Sequence, residues 1–249
     1  MLVAASTECF PGLPLADCIE RLVDLEFTNI EIALHENGGQ LKPSQIAADV
    51  DRAVDVCRKT RRLCVVCYSV DIDAPADQYY QQFRACCRLA KATKAFTLTI
   101  PSCELGTPFN EEVERLRKLV SIGAADGVLV AVKSQVGCLT QDPSTVQVLC
   151  DNVANLGLTL DPSHYIAGPH AGGSIDQIMK YVYHVHLRDS TKDKLQVRVG
   201  QGEVEYARLL TQLRRVGYDR TLSVNIQEMP DVDHFGELRK MRLLLESML

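Results

Sequence analysis

Short apolar runs alternate with longer amphipathic segments along the whole chain, and this alternation is the feature that most constrains its fold. Strands separated by helices run parallel, and eight such units of about 30 residues predict a closed (β/α)₈ barrel. A doubly wound open sheet is the alternative, but no G-x-G-x-x-G motif follows the first strand. The predicted strands cover 2–7, 29–34, 63–69, 95–101, 127–133, 156–161, 183–187 and 221–226.

The segments between the strands carry the apolar spacing of helices. Leu15, Cys18 and Leu22 lie at i, i+3 and i+7, which places them on one helical face. Pro43 and Pro143 stand near the starts of two further helices, where a missing N–H costs nothing. We therefore expect one α/β domain over residues 1–249, a single TIM barrel. Helices are predicted over 15–27, 43–59, 110–123 and 142–155.

The two faces of each predicted strand differ, because side chains on a strand alternate sides. One face is aliphatic and is expected to pack on the helices, as Ile30, Ile32 and Leu34 illustrate. The other face is small and then polar towards the carboxyl end, where barrel enzymes have their active sites. The residues that end these inner-face series are the first site candidates: His35, Lys133, Asp161, His186 and Asn225.

Composition excludes several functional classes. A net charge of −5 and a pI near 5.7 argue against a nucleic-acid partner. No apolar run reaches the ~18 residues of a membrane span, and the first residues lack the pattern of a signal peptide. We therefore expect a cytoplasmic protein with no membrane partner, and a homo-oligomer is compatible with the sequence.

The ten cysteines do not indicate a disulfide framework in a chain of this length. Cys64 and Cys67 form a C-x-x-C pair inside an apolar strand. Residues three apart on a strand face opposite ways, so they are not expected to share a metal or form an easy disulfide. Small buried side chains are the better interpretation.

The segment VYHVHLRDS, residues 182–190, places His184 and His186 on the same face of a strand. Asp161 ends the preceding strand and His164 follows it, so an acid and histidines converge on the barrel mouth. Such a set could form the coordination shell of a divalent metal. The alternative is that Asp161 caps a helix and His186 is a hydrogen-bonded core residue.

LTLDPSHYIAG, VYHVHLRDS and VRVGQGEVEYARLLTQLRRVGYDRTLSVN together resemble the second half of the xylose isomerase-like TIM-barrel superfamily, also called AP endonuclease family 2. LVAAST and LADCIERLVDLEFTNIEIAL are similar to the family's opening, so the resemblance spans nearly the whole chain. It implies a TIM barrel and the chemistry of sugar or sugar-phosphate isomerases and epimerases. An abasic-site endonuclease is poorly supported, because its three-zinc site needs more ligands than this acidic chain offers.

The resemblance also implies a metal shell of a Glu, an Asp, a His and a second Glu on the last four strands. The Asp falls on Asp161 and the His on His186, while His164 matches a histidine often beside the metal or substrate. The two glutamates fall on Lys133 and Asn225. An ammonium cannot coordinate a cation, and an amide adds no negative charge. A degenerate metal site is therefore expected.

We expect Lys133 to replace the metal and to pair with Asp161 in a metal-free pocket. No cofactor is expected, although Asp161 and His186 would be the ligands if Mn²⁺, Mg²⁺ or Zn²⁺ were bound. The lost glutamates also serve as the acid/base pair in related epimerases and isomerases. Lys133, Glu104 and Glu228 are the candidate catalytic replacements.

The candidate substrate-binding residues are His35, His164, Arg188 and Asn225. Gly200 and Gly202 allow close backbone approach to a phosphate or hydroxyl-rich ligand, or else they only shape a loop and cap a helix. The sequence thus predicts a protein of carbohydrate metabolism, an isomerase or epimerase that binds a small polyhydroxy or keto compound at the barrel mouth. The alternative is a non-catalytic pseudoenzyme or ligand-binding barrel.

Overall fold

A computed structural model describes residues 1–38 and 40–249 of the chain. Eight parallel strands close into a barrel, so the predicted fold is confirmed. The barrel strands are β1 Leu2–Ser6, β2 Asn29–His35, β3 Cys64–Asp71, β4 Thr97–Ile100, β5 Leu129–Lys133, β6 Leu156–Leu160, β7 Val182–Leu187 and β10 Thr221–Val224. They are neighbours in this order, and β10 pairs with β1 to close the barrel.

Helices fill the connections on the outside of the barrel. They are α1 Leu15–Asp24, α2 Pro43–Ala48, α3 Val50–Arg58, α4 Ala76–Thr93, α5 Phe109–Ala125, α6 Pro143–Asn152, α7 Ser163–Ile166, α8 Tyr206–Arg215 and α9 His234–Glu246. The link between β6 and β7 contains only the short α7 and a 3₁₀ helix at Asp176–Tyr181. Among the described residues, no helix is long and apolar enough to cross a membrane.

The predicted helix over 43–59 is two helices rather than one. Asp49 lies between α2 and α3 with an extended backbone, at φ −152° and ψ 90°. Its side chain accepts a hydrogen bond from the Arg52 N–H at 2.9 Å, so it caps α3. An aspartate that caps the backbone in this way favours a new start over continuation of the helix.

The inner and outer faces of the strands follow the predicted parity. Ile30, Ile32 and Leu34 are fully buried under the helices, and Glu31 between them is fully buried inside the barrel. Cys67 is buried while Cys64 is exposed. A register shift in the pairing of β2 with β3 aligns Cys64 with Asn29 and Cys67 with Glu31, so the two cysteines differ in burial and not, as strand alternation predicts, in the face they occupy. Phe96, in contrast, is 70% exposed because β4 begins only at Thr97.

A small hairpin follows β7, which the helix–strand alternation does not predict. Strands β8 Asp189–Thr191 and β9 Lys194–Val197 pair antiparallel above the barrel mouth and lead into the glycine loop before α8. The carboxyl end of β7 therefore continues into a structured segment that holds part of the site wall.

Candidate active site at the barrel mouth

A cavity of about 330 Å³ opens at the carboxyl ends of the strands. It is lined by all five residues that end the inner-face series. A wider depression of about 730 Å³ beside α5 contains none of them. The residues that line the mouth cavity are Glu8, His35, Asp71, Pro101, Lys133, Ser134, Gln135, Asp161, His164, His186, Arg188, Asn225 and Gln227.

Lys133 ends β5 and directs its amine into this cavity. Its Nζ donates a hydrogen bond to Ser69 Oγ at 2.6 Å and lies 3.6 Å from Glu8 Oε1. Ser69 Oγ in turn donates to the same Glu8 oxygen at 2.6 Å. The ammonium is therefore held in the mouth by a carboxylate from the 3₁₀ turn after β1 and a hydroxyl from β3.

Glu8 gathers several polar side chains around one carboxylate. His35 Nε2 lies 3.2 Å from Glu8 Oε1, and Asn225 Nδ2 donates to Glu8 Oε2 at 2.9 Å. Burial raises the pKa of Glu8, but Lys133 and His35 outweigh it, so the pKa lies well below its ordinary value. Glu8 is thus a carboxylate at neutral pH.

Asp161 follows β6 and pairs with Arg188 rather than with Lys133. Arg188 contacts Asp161 Oδ2 at 2.9 Å, while the backbone N–H and hydroxyl of Ser163 donate to Oδ1. Burial raises the pKa of Asp161, but Arg188 and then His164 lower it below its ordinary value. The predicted Lys133–Asp161 ion pair is wrong, because Glu8 holds Lys133 and Arg188 neutralises Asp161.

Two buried polar atoms at this pair lack a well-aligned hydrogen bond among the described residues. They are Asp161 Oδ2 and Arg188 Nε, whose side chains contact each other only as an ion pair. The opposite charges of Asp161 and Arg188 compensate each other, so the pair lines the cavity as a neutral carboxylate–guanidinium unit.

His164 lies beside Asp161 with a defined proton position. Its Nδ1 accepts a hydrogen bond from the Val136 N–H at 3.2 Å, so the neutral ring carries its proton on Nε2. That Nε2 lies 3.7 Å from Asp161 Oδ2. Burial lowers the pKa of His164 below its ordinary value, so the ring is a neutral donor facing the acid.

His186 lines the cavity and also belongs to a second, buried group of side chains. We name this group the interior cluster: Glu31, Cys67, His184 and His186. Glu31 Oε2 accepts from His184 Nε2 at 2.9 Å, and Glu31 Oε1 accepts from His186 Nε2 at 2.8 Å. Burial raises the pKa of Glu31, but His186 and His184 outweigh it and hold it below its ordinary value. Burial lowers the pKa of His184.

Glu104 and Glu228, the two predicted loop carboxylates, are not brought to the cavity. Both are exposed and absent from its lining. Glu104 forms a backbone bridge with Cys138 between the loops after β4 and β5, and Glu228 belongs to an outer loop before α9. Because each follows its strand by several residues, the parity of the strand no longer directs its side chain inward.

The glycine loop does not present its amides to a ligand. The N–H groups of Gly200 and Gly202 both donate to Asp189 Oδ2, at 2.8 and 3.0 Å. A Cβ on Gly202 would lie 2.0 Å from the Asp189 carboxylate. The glycine therefore permits a close approach to an internal carboxylate, which occupies the position predicted for a phosphate or hydroxyl-rich ligand.

Glu8, Ser69 and Glu31 are the site residues that sequence reasoning missed or left unassigned. Glu8 continues the inner-face spacing of Ala4 and Ser6 by two residues, so the signal was present beyond the predicted end of β1. Strand alternation also puts Glu31, which stands between Ile30 and Ile32, on the inner face, but its pairing with β7 across the barrel leaves no local pattern.

Known proteins match this chain at the level of family and fold. The sequence profile of the xylose isomerase-like TIM barrel family matches residues 19–245. An uncharacterized protein of Methanocaldococcus jannaschii is 22% identical over 134 residues, which is 50% of this chain and 46% of that protein. The chain thus spans less than half the length of that curated relative.

Two solved structures superpose over the full chain. A xylose isomerase-like TIM barrel protein from Mycobacterium smegmatis, in complex with magnesium, has a TM-score of 0.78 at 13% identity, covering 100% of this chain and 98% of that one. A D-psicose 3-epimerase determined with D-fructose has a TM-score of 0.77 at 12% identity, covering 100% and 99%. At such identities the likeness concerns the fold alone.

Proposed function

This chain belongs to the xylose isomerase-like TIM barrel family, and from that premise we propose that it binds a small polyhydroxy carbonyl compound at the barrel mouth and moves a proton next to the carbonyl. In this proposal the ammonium of Lys133 polarises the carbonyl group, and it takes the place of the divalent metal of metal-binding relatives. The observation that carries the proposal is the position of Lys133 Nζ, bound between Ser69 and Glu8 inside the mouth cavity.

The side chains at the four family ligand positions do not fit a divalent cation. Lys133 brings a positive charge, and Asn225 uses its amide to donate to Glu8. Asp161 is already neutralised by Arg188. A cation at this point would lie beside an ammonium and a guanidinium, and it would be repelled because the two nearby carboxylates, Glu8 and Asp161, are already paired with those groups. No step of the proposed reaction therefore passes through a metal at the mouth.

The cavity offers polar groups suited to hydroxyl recognition. Gln227 donates to Asn225, so two amides line the cavity together with the ion-paired Asp161 and Arg188. The charges of Lys133 and Arg188 are each balanced by a carboxylate. Such a paired set favours a neutral hydroxyl-rich ligand over a strongly charged one.

Proton transfer needs a carbonyl-polarising group and a proton acceptor. In the proposal Lys133 donates a hydrogen bond to the carbonyl oxygen, which stabilises the negative charge that develops there when the neighbouring carbon loses its proton. Glu8, whose carboxylate lies beside Lys133, accepts that proton. Its lowered pKa makes it a weak base, so we expect slow proton exchange.

The test is deuterium incorporation into D-fructose, D-psicose and D-tagatose, followed by NMR in D₂O with chelator-treated protein. We expect exchange at carbons next to the carbonyl with wild type, and its loss in Lys133→Ala. Lys59→Ala, which removes an exposed lysine on the edge of α3, is the matched control and should exchange like wild type. Exchange that appears only after Mn²⁺ or Mg²⁺ is added would contradict the proposal.

A non-catalytic ligand-binding barrel is the second candidate function. It is favoured by the low pKa of Glu8, which makes that carboxylate a weak base, and by the positions of Glu104 and Glu228 outside the cavity. This candidate predicts that calorimetric titration detects binding of a sugar while no deuterium enters it. Binding and exchange that are lost together in Lys133→Ala would favour the enzyme.

A further inference from the structure

Four side chains of metal-binding type converge inside the barrel, below the mouth. One ligand atom each from Glu31, Cys67 and His184 lies within 4.8 Å of the others. His186 Nε2 is 2.8 Å from Glu31 Oε1, but it lies outside this mutual spacing. All four residues are at most 3% exposed. Among the described residues, Glu31, Cys67 and His184 are the one group of three or more His, Cys, Asp or Glu with such spacing.

The donor atoms have the chemistry that zinc prefers. Two imidazole nitrogens, a thiolate and a carboxylate oxygen make a four-ligand tetrahedral shell, with bonds of about 2.0–2.3 Å. Ligand atoms in such a shell are roughly 3.5 Å apart, since each lies about 2 Å from the ion. Binding therefore requires Glu31 to separate from the two histidines and His186 to move closer to the ligand atoms of Cys67 and His184.

The charges of this group also balance a divalent cation. Glu31 contributes one negative charge, and Cys67 contributes a second after its thiol proton leaves to solvent. Both histidines bind as neutral rings, each with a proton on its other nitrogen. A dication with these ligands has no net charge, which is the condition for placing an ion in a dry interior.

We propose that Glu31, Cys67, His184 and His186 form a binding site for Zn²⁺ or a divalent cation of the same ligand preference. The site joins β2, β3 and β7 across the barrel, and it differs from the family ligand positions at the mouth in three of its four residues. Its existence does not depend on the sugar chemistry proposed for the mouth.

The cation would enter from the mouth cavity. His186 is the member of the cluster that also lines that cavity, so it links solvent to the interior. Lys133 lies close enough for its charge to act on His184, but Ser69 and Glu8 hold its amine on the mouth side. The cluster and the ammonium therefore occupy different levels of the barrel.

Cobalt titration of chelator-treated protein tests the site, because a thiolate ligand gives Co²⁺ a charge-transfer band in the near ultraviolet. We expect one Co²⁺ per chain with this band, displacement by Zn²⁺, and about one proton released per ion at neutral pH. The band should be lost in Cys67→Ser. It should remain in Cys64→Ser, which removes an exposed thiol of the same strand, and in Asp161→Asn at the mouth.

Zinc-edge X-ray absorption of the wild-type protein provides a measurement that needs no variant, in case Cys67→Ser does not fold. One sulfur and three nitrogen or oxygen neighbours support the site. A sulfur-free shell overturns the proposal, as does wild-type protein that binds no Co²⁺. A charge-transfer band that survives Cys67→Ser, or one that disappears in Asp161→Asn, also overturns it.

Discussion

The mouth and the interior of the barrel each hold carboxylates against basic side chains, but they do so in different ways. At the mouth, Glu8 and Asp161 are balanced by the permanent charges of Lys133 and Arg188. In the interior, Glu31 is held by hydrogen bonds from two histidines, of which His184 has a pKa lowered by burial.

The difference follows from the access of water. The mouth groups line an open cavity, where permanent charges remain partly solvated and can exchange one partner for a ligand. The interior groups are almost fully buried, so each donor must already have its acceptor. We therefore expect changes at the interior to affect stability, and changes at the mouth to affect mainly the ligand.

The largest stability effect is expected for Glu31→Gln. The amide removes the charge and directs an N–H₂ group at one of the two histidine donors, which leaves a buried donor without an acceptor. We expect the free energy of unfolding to fall by about 3 kcal/mol, measured by urea denaturation in the presence of a chelator. Glu114→Gln, an exposed site on α5, should change it by less than about 0.5 kcal/mol. An equal loss of unfolding free energy in Glu31→Gln and Glu114→Gln would contradict the expectation that the interior groups support stability.

A smaller effect on stability is expected for Arg188→Gln at the mouth. Asp161 would lose its guanidinium partner, but Ser163 still donates to it and the cavity admits water. We expect a loss of about 1 kcal/mol of unfolding free energy and at least about tenfold weaker sugar binding in calorimetric titration. A loss of unfolding free energy as large as that of Glu31→Gln, with unchanged sugar binding, would show that Arg188 supports the fold and does not contact the ligand.

The smallest effect is expected in the acid stability of Glu8→Gln. The folded pKa of Glu8 is lowered, so the folded protein keeps this carboxylate ionised at a pH where the unfolded chain takes up a proton. Its contribution is therefore complete above the ordinary pKa and is lost as the pH falls through the lowered one. Glu8→Gln should flatten the decline of stability below about pH 5, by roughly 0.5 kcal/mol in urea denaturation. An unchanged decline would contradict the ion pair.

The fold and the strand-end residues were predictable because both depend on local patterns. Strand parity alone placed His35, Lys133 and Asn225 on inner faces near the carboxyl ends, and the cavity lining contains all three. These features need only the period of a strand and the direction of a parallel barrel.

The partners of those residues were not predictable in the same way. Glu8 takes the place of Asp161 beside Lys133 because it extends from a 3₁₀ turn after β1, where strand parity had been assumed to end. Glu31 meets His184 and His186 across the barrel, a contact between β2 and β7 that depends on closure of the sheet. Which charge pairs with which is decided by three-dimensional distance.

The central claim is that Lys133 replaces the metal at the mouth, and anomalous diffraction from crystals soaked in Mn²⁺ tests it most directly. Mn²⁺ prefers oxygen ligands, so it reports on the mouth and not on the thiolate of the interior cluster. Lys133→Glu combined with Asn225→Glu restores the family's four ligands and provides the positive control. We predict an anomalous peak beside Asp161 in the double variant and none there in wild type. A peak coordinated by Asp161 in wild type, with Lys133 displaced, would contradict the claim.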